Sequence, residues 1–253
     1  ILLIDEPLIY DEDVMVGFVL NEPIRIDASS VIPELTTNNI RWGDNPDFIM
    51  AGYYNVTLIP EGYSDCIQYY TPDPHFRYVG NAISANSYQG DEIIFDVEGD
   101  IAMRLPHVPA GTYELRLAYT SYDNRATVQF YVDNVITGIP IDLSVLANDP
   151  RVGWVRDSET TDNGVANDKQ MKNRGFLKGL TSQKVINGSI TGRDSPQCLR
   201  VVLTTKYFSE NDHWIRVKPV GDNTGKGVQV DYFELVPMGW LRDESIPLED
   251  KRK

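Results

Sequence analysis

Three polar loops of this 253-residue chain carry an aromatic side chain close to hydrogen-bonding ones. An aromatic ring can stack on the apolar C–H face of a pyranose, while amide, carboxylate and guanidinium groups beside it bind the hydroxyls. This combination of residue types indicates a candidate sugar-binding site. The candidate ligand-binding residues are Tyr122, Asn124 and Arg125 in the first loop, Trp154 and Arg156 in the second, and Tyr207 in the third.

The same aromatic residues have a second interpretation. Large rings in loops commonly pack onto the core and fix the loop in place. Trp154 and Tyr207 are therefore either stacking platforms or loop anchors. Trp214 begins a strand pattern, so we expect it in the core.

No catalytic residue is predicted. Glycoside hydrolysis needs two carboxylates placed across one bond, and no nucleophile motif frames any of the many acidic pairs. His75, His107 and His213 lack the H-x-x-x-H spacing of a zinc site. The chain also has no G-x-S-x-G, P-loop or G-x-G-x-x-G motif. We expect a protein that is not an enzyme, with a glycan-active hydrolase as the less favoured alternative.

No cofactor is predicted, but two acidic segments leave a structural calcium ion open. Residues 222–227 place Gly at the sixth position of an EF-hand loop. However, Lys226 stands at a ligand position and Phe233 replaces the bidentate Glu, so the segment predicts a hairpin turn. The 157–168 run is either a calcium site or an ordinary solvated loop.

Charge excludes some partners. The formal net charge of −14 repels phosphate backbones and anionic lipid, so we expect neither nucleic-acid binding nor docking on a membrane surface. Cys66 and Cys198 form either one disulfide or two buried free thiols. No apolar run approaches the length of a membrane span. Because the chain begins at Ile1 rather than Met, we expect it to be part of a longer precursor.

Alternating patterns predict the elements that position these loops. The central stretch, residues 110–140, reads as two strands joined by a polar turn over Ser121 to Arg125. The hairpin needs a second sheet to bury its apolar face. Further strands are predicted around residues 67–70, 93–97, 101–105, 139–143, 198–204, 214–218 and 228–237.

The predicted fold class is all-β, an antiparallel sandwich with one long polar insertion at residues 147–197. A loop of this length is either functional or disordered, although Asp168 to Leu177 is compatible with a helical turn. We predict residues 1–89 as an extension packed on the sandwich, residues 90–238 as the sandwich and residues 239–253 as a charged tail.

Four segments in order resemble the galactose-binding-like jelly roll of many carbohydrate-binding modules. They are GTYELRLAY (111–119), VQFYVDN (128–134), HWIRVKPV (213–220) and VQVDYFELVP (228–237), the last ending on the D-Y-F-x-L-x-P pattern of that fold. The resemblance covers about residues 90–237. It implies a jelly roll whose commonest sugar site lies at the loop edge of the sandwich.

A second set of segments is similar to the C-terminal region of fasciclin-domain surface lipoproteins, which are encoded in polysaccharide-utilisation loci of gut bacteria. The set comprises IYDEDV (9–14), RIDASSVIPELTTNNIRW (25–42), NDKQMKNRGFLKG (167–179) and HWIRVK (213–218). In that family a fasciclin domain comes first, so residues 1–10 would be its end or the link after it.

This second resemblance implies an outer-membrane lipoprotein at the cell surface, held by a lipid anchor upstream of residue 1. It implies adhesion or carbohydrate binding, with a glycan or a surface protein as the partner. Three hypotheses follow for this chain: a glycan-binding module, a purely structural or protein-interaction module of the same fold, and a hydrolase.

Overall fold

The structure is a computed structural model. It describes residues 24–27, 54–55, 67–70, 75–79, 92–96, 99–105, 108–185, 188–193 and 195–238. Within these ranges the chain is almost entirely β-structure, with one α-helix. No described helix is both long and apolar enough to cross a membrane.

Fifteen strands are described, and their lengths range from two to eleven residues. They are β1 Ile24–Asp27, β2 Tyr54–Asn55, β3 Ile67–Tyr69, β4 His75–Val79, β5 Glu92–Asp96, β6 Ile101–Arg104, β7 Gly111–Thr120, β8 Thr127–Val132, β9 Val135–Asp142, β10 Phe176–Lys178, β11 Thr181–Val185, β12 Gly188–Gly192, β13 Cys198–Phe208, β14 Trp214–Pro219 and β15 Gly227–Pro237. A 3-10 turn, Asp157–Glu159, and helix α1, Val165–Asn173, lie between β9 and β10.

Two antiparallel sheets form the sandwich. Sheet A has the strand order β10-β13-β7-β15-β5-β4-β2, with β1 also paired to β15, and sheet B has the order β3-β6-β14-β8-β9. Strands β5, β6, β7 and β8 pass alternately between the two sheets, as in a jelly roll. The hairpin predicted for residues 110–140 is therefore wrong: β7 pairs with β13 and β15 in sheet A, whereas β8 pairs with β14 and β9 in sheet B. The predicted all-β antiparallel sandwich is confirmed.

The core lies between the sheets because successive strand residues point to opposite faces. Tyr113, Leu115, Leu117 and Tyr119 of β7 are buried against apolar residues of β8, β14 and β15. The Phe130 and Phe233 rings meet edge-on across the layers with their centroids 6.4 Å apart. The alternating patterns therefore identified the inward faces of these strands correctly.

Strand β15 is central in sheet A. It pairs with β7 on one side and with β5 and β1 on the other. Its outward-facing Glu234 is fully buried and binds two arginines that are equally buried. The outer face of sheet A is therefore covered at its centre rather than solvated.

The polar insertion is ordered where a loop was predicted. It contains α1 and strands β10, β11 and β12, of which β10 pairs with β13. The helical turn that Asp168 to Leu177 allowed corresponds to the second half of α1, whereas β10, β11 and β12 were not predicted. Amide contacts help to hold the helix in place. The Asn167 side chain accepts a hydrogen bond from Val155 N at 3.1 Å and donates one to Gly153 O at 2.7 Å.

Cys198 is buried, and whether it forms a disulfide with Cys66 stays a prediction, because Cys66 lies outside the described residues. The predictions for residues 1–10, for His107 and for the charged tail 239–253 also fall outside them. Strands β1 to β4 join the two sheets; the predicted domain boundary at residue 90 stays a prediction.

Candidate functional site

The loop edge, residues 121–126 together with the neighbouring turn 221–227, is the first candidate site. The link between β7 and β8 is fastened to the start of β15. Gly227 N donates to Asn124 O at 3.1 Å, and Ala126 N donates to Gly227 O at 3.0 Å. The side-chain oxygen of Asn223 accepts from Thr127 N at 3.0 Å. The two segments form one surface of fixed backbone.

Arg125 supports the Tyr122 ring on this surface. The Arg125 guanidinium carbon lies 5.0 Å from the ring centroid. The same group donates to Thr120 O and Asn124 Oδ1, each at 3.1 Å, and to Gln229 Oε1. The Tyr122 side chain is 37% exposed. The predicted trio Tyr122, Asn124 and Arg125 therefore forms one cluster with an accessible ring.

Trp154 acts as a loop anchor, the second of the two roles that the sequence allowed. It packs against the sandwich core, its backbone N donates to Ala147 O at 3.2 Å, and the Lys178 ammonium lies 5.5 Å from its ring centroid. Arg156 is exposed and lies 4.0 Å from Glu159 in the 3-10 turn.

The placement of Tyr207 in a loop was wrong, because it lies within strand β13. Its side chain is 61% exposed, so it is not a loop anchor. It pairs with Thr112 at the start of β7, whereas Cys198, at the other end of β13, pairs with Thr120 beside the loop edge. Nine residues of strand separate Tyr207 from that end, a distance of about 30 Å. Tyr207 is therefore remote from the Tyr122 cluster.

Asp157 and Asp168, the ends of the proposed calcium run, bind basic side chains. Lys178 Nζ lies 2.7 Å from Asp157 and 3.8 Å from Asp168. Arg193 reaches the two carboxylates at 2.8 and 2.7 Å. We call these four residues the ionic cluster. Its positive and negative charges balance, so the carboxylates neutralise side chains of the protein itself.

Burial and ion pairing act in opposite directions on the two carboxylates. The pKa of Asp168 is raised, because burial disfavours its anion more than the basic side chains favour it. Those opposing contributions are the hydrogen bond and the attraction from Arg193 and the attraction from Lys178. Burial also disfavours the Asp157 anion, but hydrogen bonds from Arg193 and Lys178 outweigh it and lower its pKa to about 2. Among the described residues, no group of three or more His, Cys, Asp or Glu side chains is placed to hold a metal ion.

The 222–227 segment forms the predicted turn. Asp222 Oδ1 accepts from Thr224 N at 3.2 Å and from the Thr224 hydroxyl at 2.9 Å. These hydrogen bonds, the backbone one first, hold the pKa of Asp222 below its ordinary value. The carboxylate closes the turn locally.

The outer face of sheet B carries a second aromatic cluster, which sequence reasoning missed. The Arg216 guanidinium carbon lies 3.8 Å from the Tyr70 ring centroid and 5.0 Å from that of Tyr131. Arg216 also binds both oxygens of Asp100, at 2.6 and 2.7 Å. We call this surface, with Gln68 and Lys218, the sheet-B face.

One signal in the sequence could have indicated this face. In β14, Ile215 and Val217 belong to the core, so Trp214, Arg216 and Lys218 point outward. The expectation that Trp214 lies in the core was wrong, because its place in this alternation puts it on the outer face, half-buried. Nothing local places Tyr70 beside Arg216, since β3 and β14 meet only through β6.

Comparison with known proteins finds no matching family model and no matching curated protein. Among solved structures, a Paenibacillus xanthan lyase is similar at 14% identity and a TM-score of 0.38, over 78% of this chain and 14% of the lyase. A family 35 carbohydrate-binding module from Clostridium thermocellum is similar at 10% identity and a TM-score of 0.33, over 68% of this chain and 98% of the module.

The family 35 module CBM35 from Paenibacillus barcinonensis is also similar, with 9% identity and a TM-score of 0.31 over 67% of this chain and 96% of the module. These likenesses concern the β-sandwich alone. This chain spans 14% of the xanthan lyase but nearly the whole of each binding module.

Proposed function

We propose that this chain is a non-catalytic carbohydrate-binding module whose sugar site is the loop edge. The observation that carries the proposal is the exposed Tyr122 ring held over a fixed Arg125. A sugar would stack its C–H face on this ring. The exposed side chains of Asp123 and Asn124 lie next to it in the chain and can bind hydroxyls.

The ion pairing of Asp157 and Asp168 supports a binding role rather than catalysis. A glycosidase needs a carboxyl group that can protonate the leaving group and a second one free to act on the sugar. Asp157 and Asp168 each bind Lys178 and Arg193 and are largely buried. They stabilise the insertion, which is a sufficient explanation for their proximity.

We place the module at the cell surface, in a glycan-utilisation context, with a lipid anchor upstream of residue 1. This part of the proposal rests on the resemblance of residues 9–14, 25–42, 167–179 and 213–218 to fasciclin-domain surface lipoproteins. A glycan is the preferred partner.

Adhesion through protein contacts is the second candidate function, and strand β9 favours it. This strand is the edge of sheet B. Its Val135, Ile136 and Ile139 side chains are more than half exposed, at 62%, 65% and 76%. An exposed apolar edge strand can pair with a strand of another protein. It becomes the leading candidate if no polysaccharide binds.

Affinity electrophoresis through gels containing polysaccharide tests the proposed function. We expect at least one polysaccharide to retard the wild-type chain, and Tyr122→Ala to weaken that binding about tenfold, since it removes the stacking ring. Tyr207→Ala is the matched control, because it removes a more exposed tyrosine remote from the site. Equal retardation of Tyr122→Ala and wild type would refute the loop-edge assignment.

A further inference from the structure

We propose that the sheet-B face is a second, independent sugar-binding surface, and that it takes uncharged glycan chains. It extends the proposed function from one site to two. It rests on that function only in assuming that the ligand is a sugar, and it does not require the loop edge to bind.

Tyr70 has the geometry of a stacking platform. Its ring lies 3.8 Å from the Arg216 guanidinium carbon on one side, and the side chain is 42% exposed. The hydroxyl lies 3.2 Å from both Gln68 Oε1 and Asn134 Oδ1. Contacts at the ring face and at the hydroxyl therefore fix the orientation of the ring before any ligand arrives, which lowers the entropic cost of binding.

The support beneath Tyr70 is itself fixed. Both carboxylate oxygens of Asp100 bind Arg216, and the Asp100 carbonyl accepts from Tyr70 N at 2.9 Å. The Tyr131 ring centroid lies 5.0 Å from the same guanidinium carbon. The arginine thus contacts two tyrosine rings.

The surface is elongated. Strand pairing places Gln68, Ala102, Arg216, Tyr131 and Ile136 in one row across the five strands of sheet B. With about 4.8 Å between neighbouring strands, the row is about 19 Å long. Gln68 at one end is exposed and polar, and Ile136 at the other end is exposed and apolar. Ala102 within the row is only 1% exposed, and Arg216 and Tyr131 are partly buried. We therefore expect contacts at the exposed ends of the row and at Tyr70, a spacing that fits a chain of sugars better than a single one.

Charge selects an uncharged ligand. Asp100 pairs with Arg216 and lies 3.9 Å from Lys218, while Arg104 lies 3.8 Å from Asp212. The three basic groups Arg104, Arg216 and Lys218 thus share two carboxylates, Asp100 and Asp212, so little positive charge is left on the face, and the chain as a whole carries −14. An anionic polysaccharide would meet repulsion and gain little in return.

Four proteins separate the two sites: wild type, Tyr70→Ala, Tyr122→Ala and the double variant, with Tyr207→Ala as the control. Each is run through gels containing xyloglucan, galactomannan or β-1,3-glucan as neutral probes, and polygalacturonate as the anionic probe. We expect Tyr70→Ala to weaken binding to a neutral probe about tenfold, both alone and in the Tyr122→Ala background. Tyr70→Phe keeps the ring and should retain most of the binding.

Each outcome discriminates. Loss in Tyr122→Ala with none in Tyr70→Ala overturns the sheet-B site and leaves the loop edge. Loss in Tyr70→Ala alone supports the sheet-B site and overturns the loop edge. Tighter binding to polygalacturonate than to every neutral probe overturns the uncharged ligand class. Failure of wild type to bind any probe overturns both sites. Equal melting temperatures of the variants establish that changes in binding are not losses of fold.

Discussion

Two arginines perform the same task in two places. Arg125 lies beneath Tyr122 and Arg216 beneath Tyr70, and each guanidinium is held by hydrogen bonds to other groups. Stacking of this kind contributes about 0.5–2 kcal/mol, enough to keep a ring in one orientation. At the two proposed sugar sites, each arginine would act indirectly, by positioning the ring that would touch the ligand.

A pair of buried arginines has a purely structural role. Arg116 and Arg200 bind the same oxygen of Glu234, at 3.0 and 2.8 Å, and all three side chains are 0% exposed. Arg116 also binds Glu114. Buried charges are tolerated only when they are paired, so removal of the shared carboxylate leaves excess positive charge among fully buried side chains.

We therefore predict that Glu234→Gln lowers the free energy of unfolding by about 3–5 kcal/mol, measured by urea denaturation. Glu210→Gln, at an exposed position, is the control and should change it by less than about 0.5 kcal/mol. A loss below about 1 kcal/mol for Glu234→Gln would show that the pairing is not needed for stability.

At the scale of elements, the ionic cluster joins parts of the insertion that share little apolar surface. Asp157 comes from the 3-10 turn, Asp168 from α1, Lys178 from β10, and Arg193 follows β12. Gly164, with φ at +86°, packs so closely that a Cβ there would collide with the Asp157 carboxylate. The cluster substitutes for the apolar stripe that would normally dock a helix.

The cluster should make stability depend on pH. The pKa of Asp157 falls from the ordinary value of about 3.9 to about 2 in the folded chain. An acid with a depressed folded pKa stabilises the fold above its unfolded pKa, and this contribution disappears as the pH falls through the folded pKa. The contribution of Asp157 is therefore complete above about pH 4 and is lost towards pH 2.

Urea denaturation of wild type and Asp157→Asn over that pH range tests this. We expect the variant to be less stable by about 3 kcal/mol at neutral pH, and the difference to shrink as the pH falls from about 4 towards 2. The Asp157 charge is one cause of the raised pKa of Asp168, so the measured difference reports the Asp157 charge together with its coupling to Asp168. A difference that stays constant over the whole range would contradict a role for the Asp157 charge.

At the scale of the molecule, the sequence predicted the features that depend only on residues close together in the chain. The alternation of apolar and polar residues in 111–119 and 128–132 predicted strands β7 and β8 and their buried faces. A strand with one buried face shows this alternation in its sequence. Tyr122, Asn124 and Arg125 were found together because they share one short loop. These features need no knowledge of which strands pair.

What the sequence could not predict depends on strand order. Tyr70 meets Arg216 only because β6 lies between β3 and β14. Arg116 and Glu234 occupy positions that alternation assigns to solvent, and they are buried because the outer face of sheet A is covered. Lys178 and Asp157 are 21 residues apart in sequence. Contacts of this kind follow from the assembled sandwich.

An NMR titration of the wild-type chain tests the central claim most directly. An oligosaccharide prepared from a retarding neutral polysaccharide would be added to ¹⁵N-labelled protein. We predict that backbone amide shifts change at two places, residues 121–125 of the loop edge and residues 68–70 with 214–218 of the sheet-B face, and not around Tyr207. Shifts confined to β9, or to the insertion around α1, would contradict the account and place the ligand elsewhere on the sandwich.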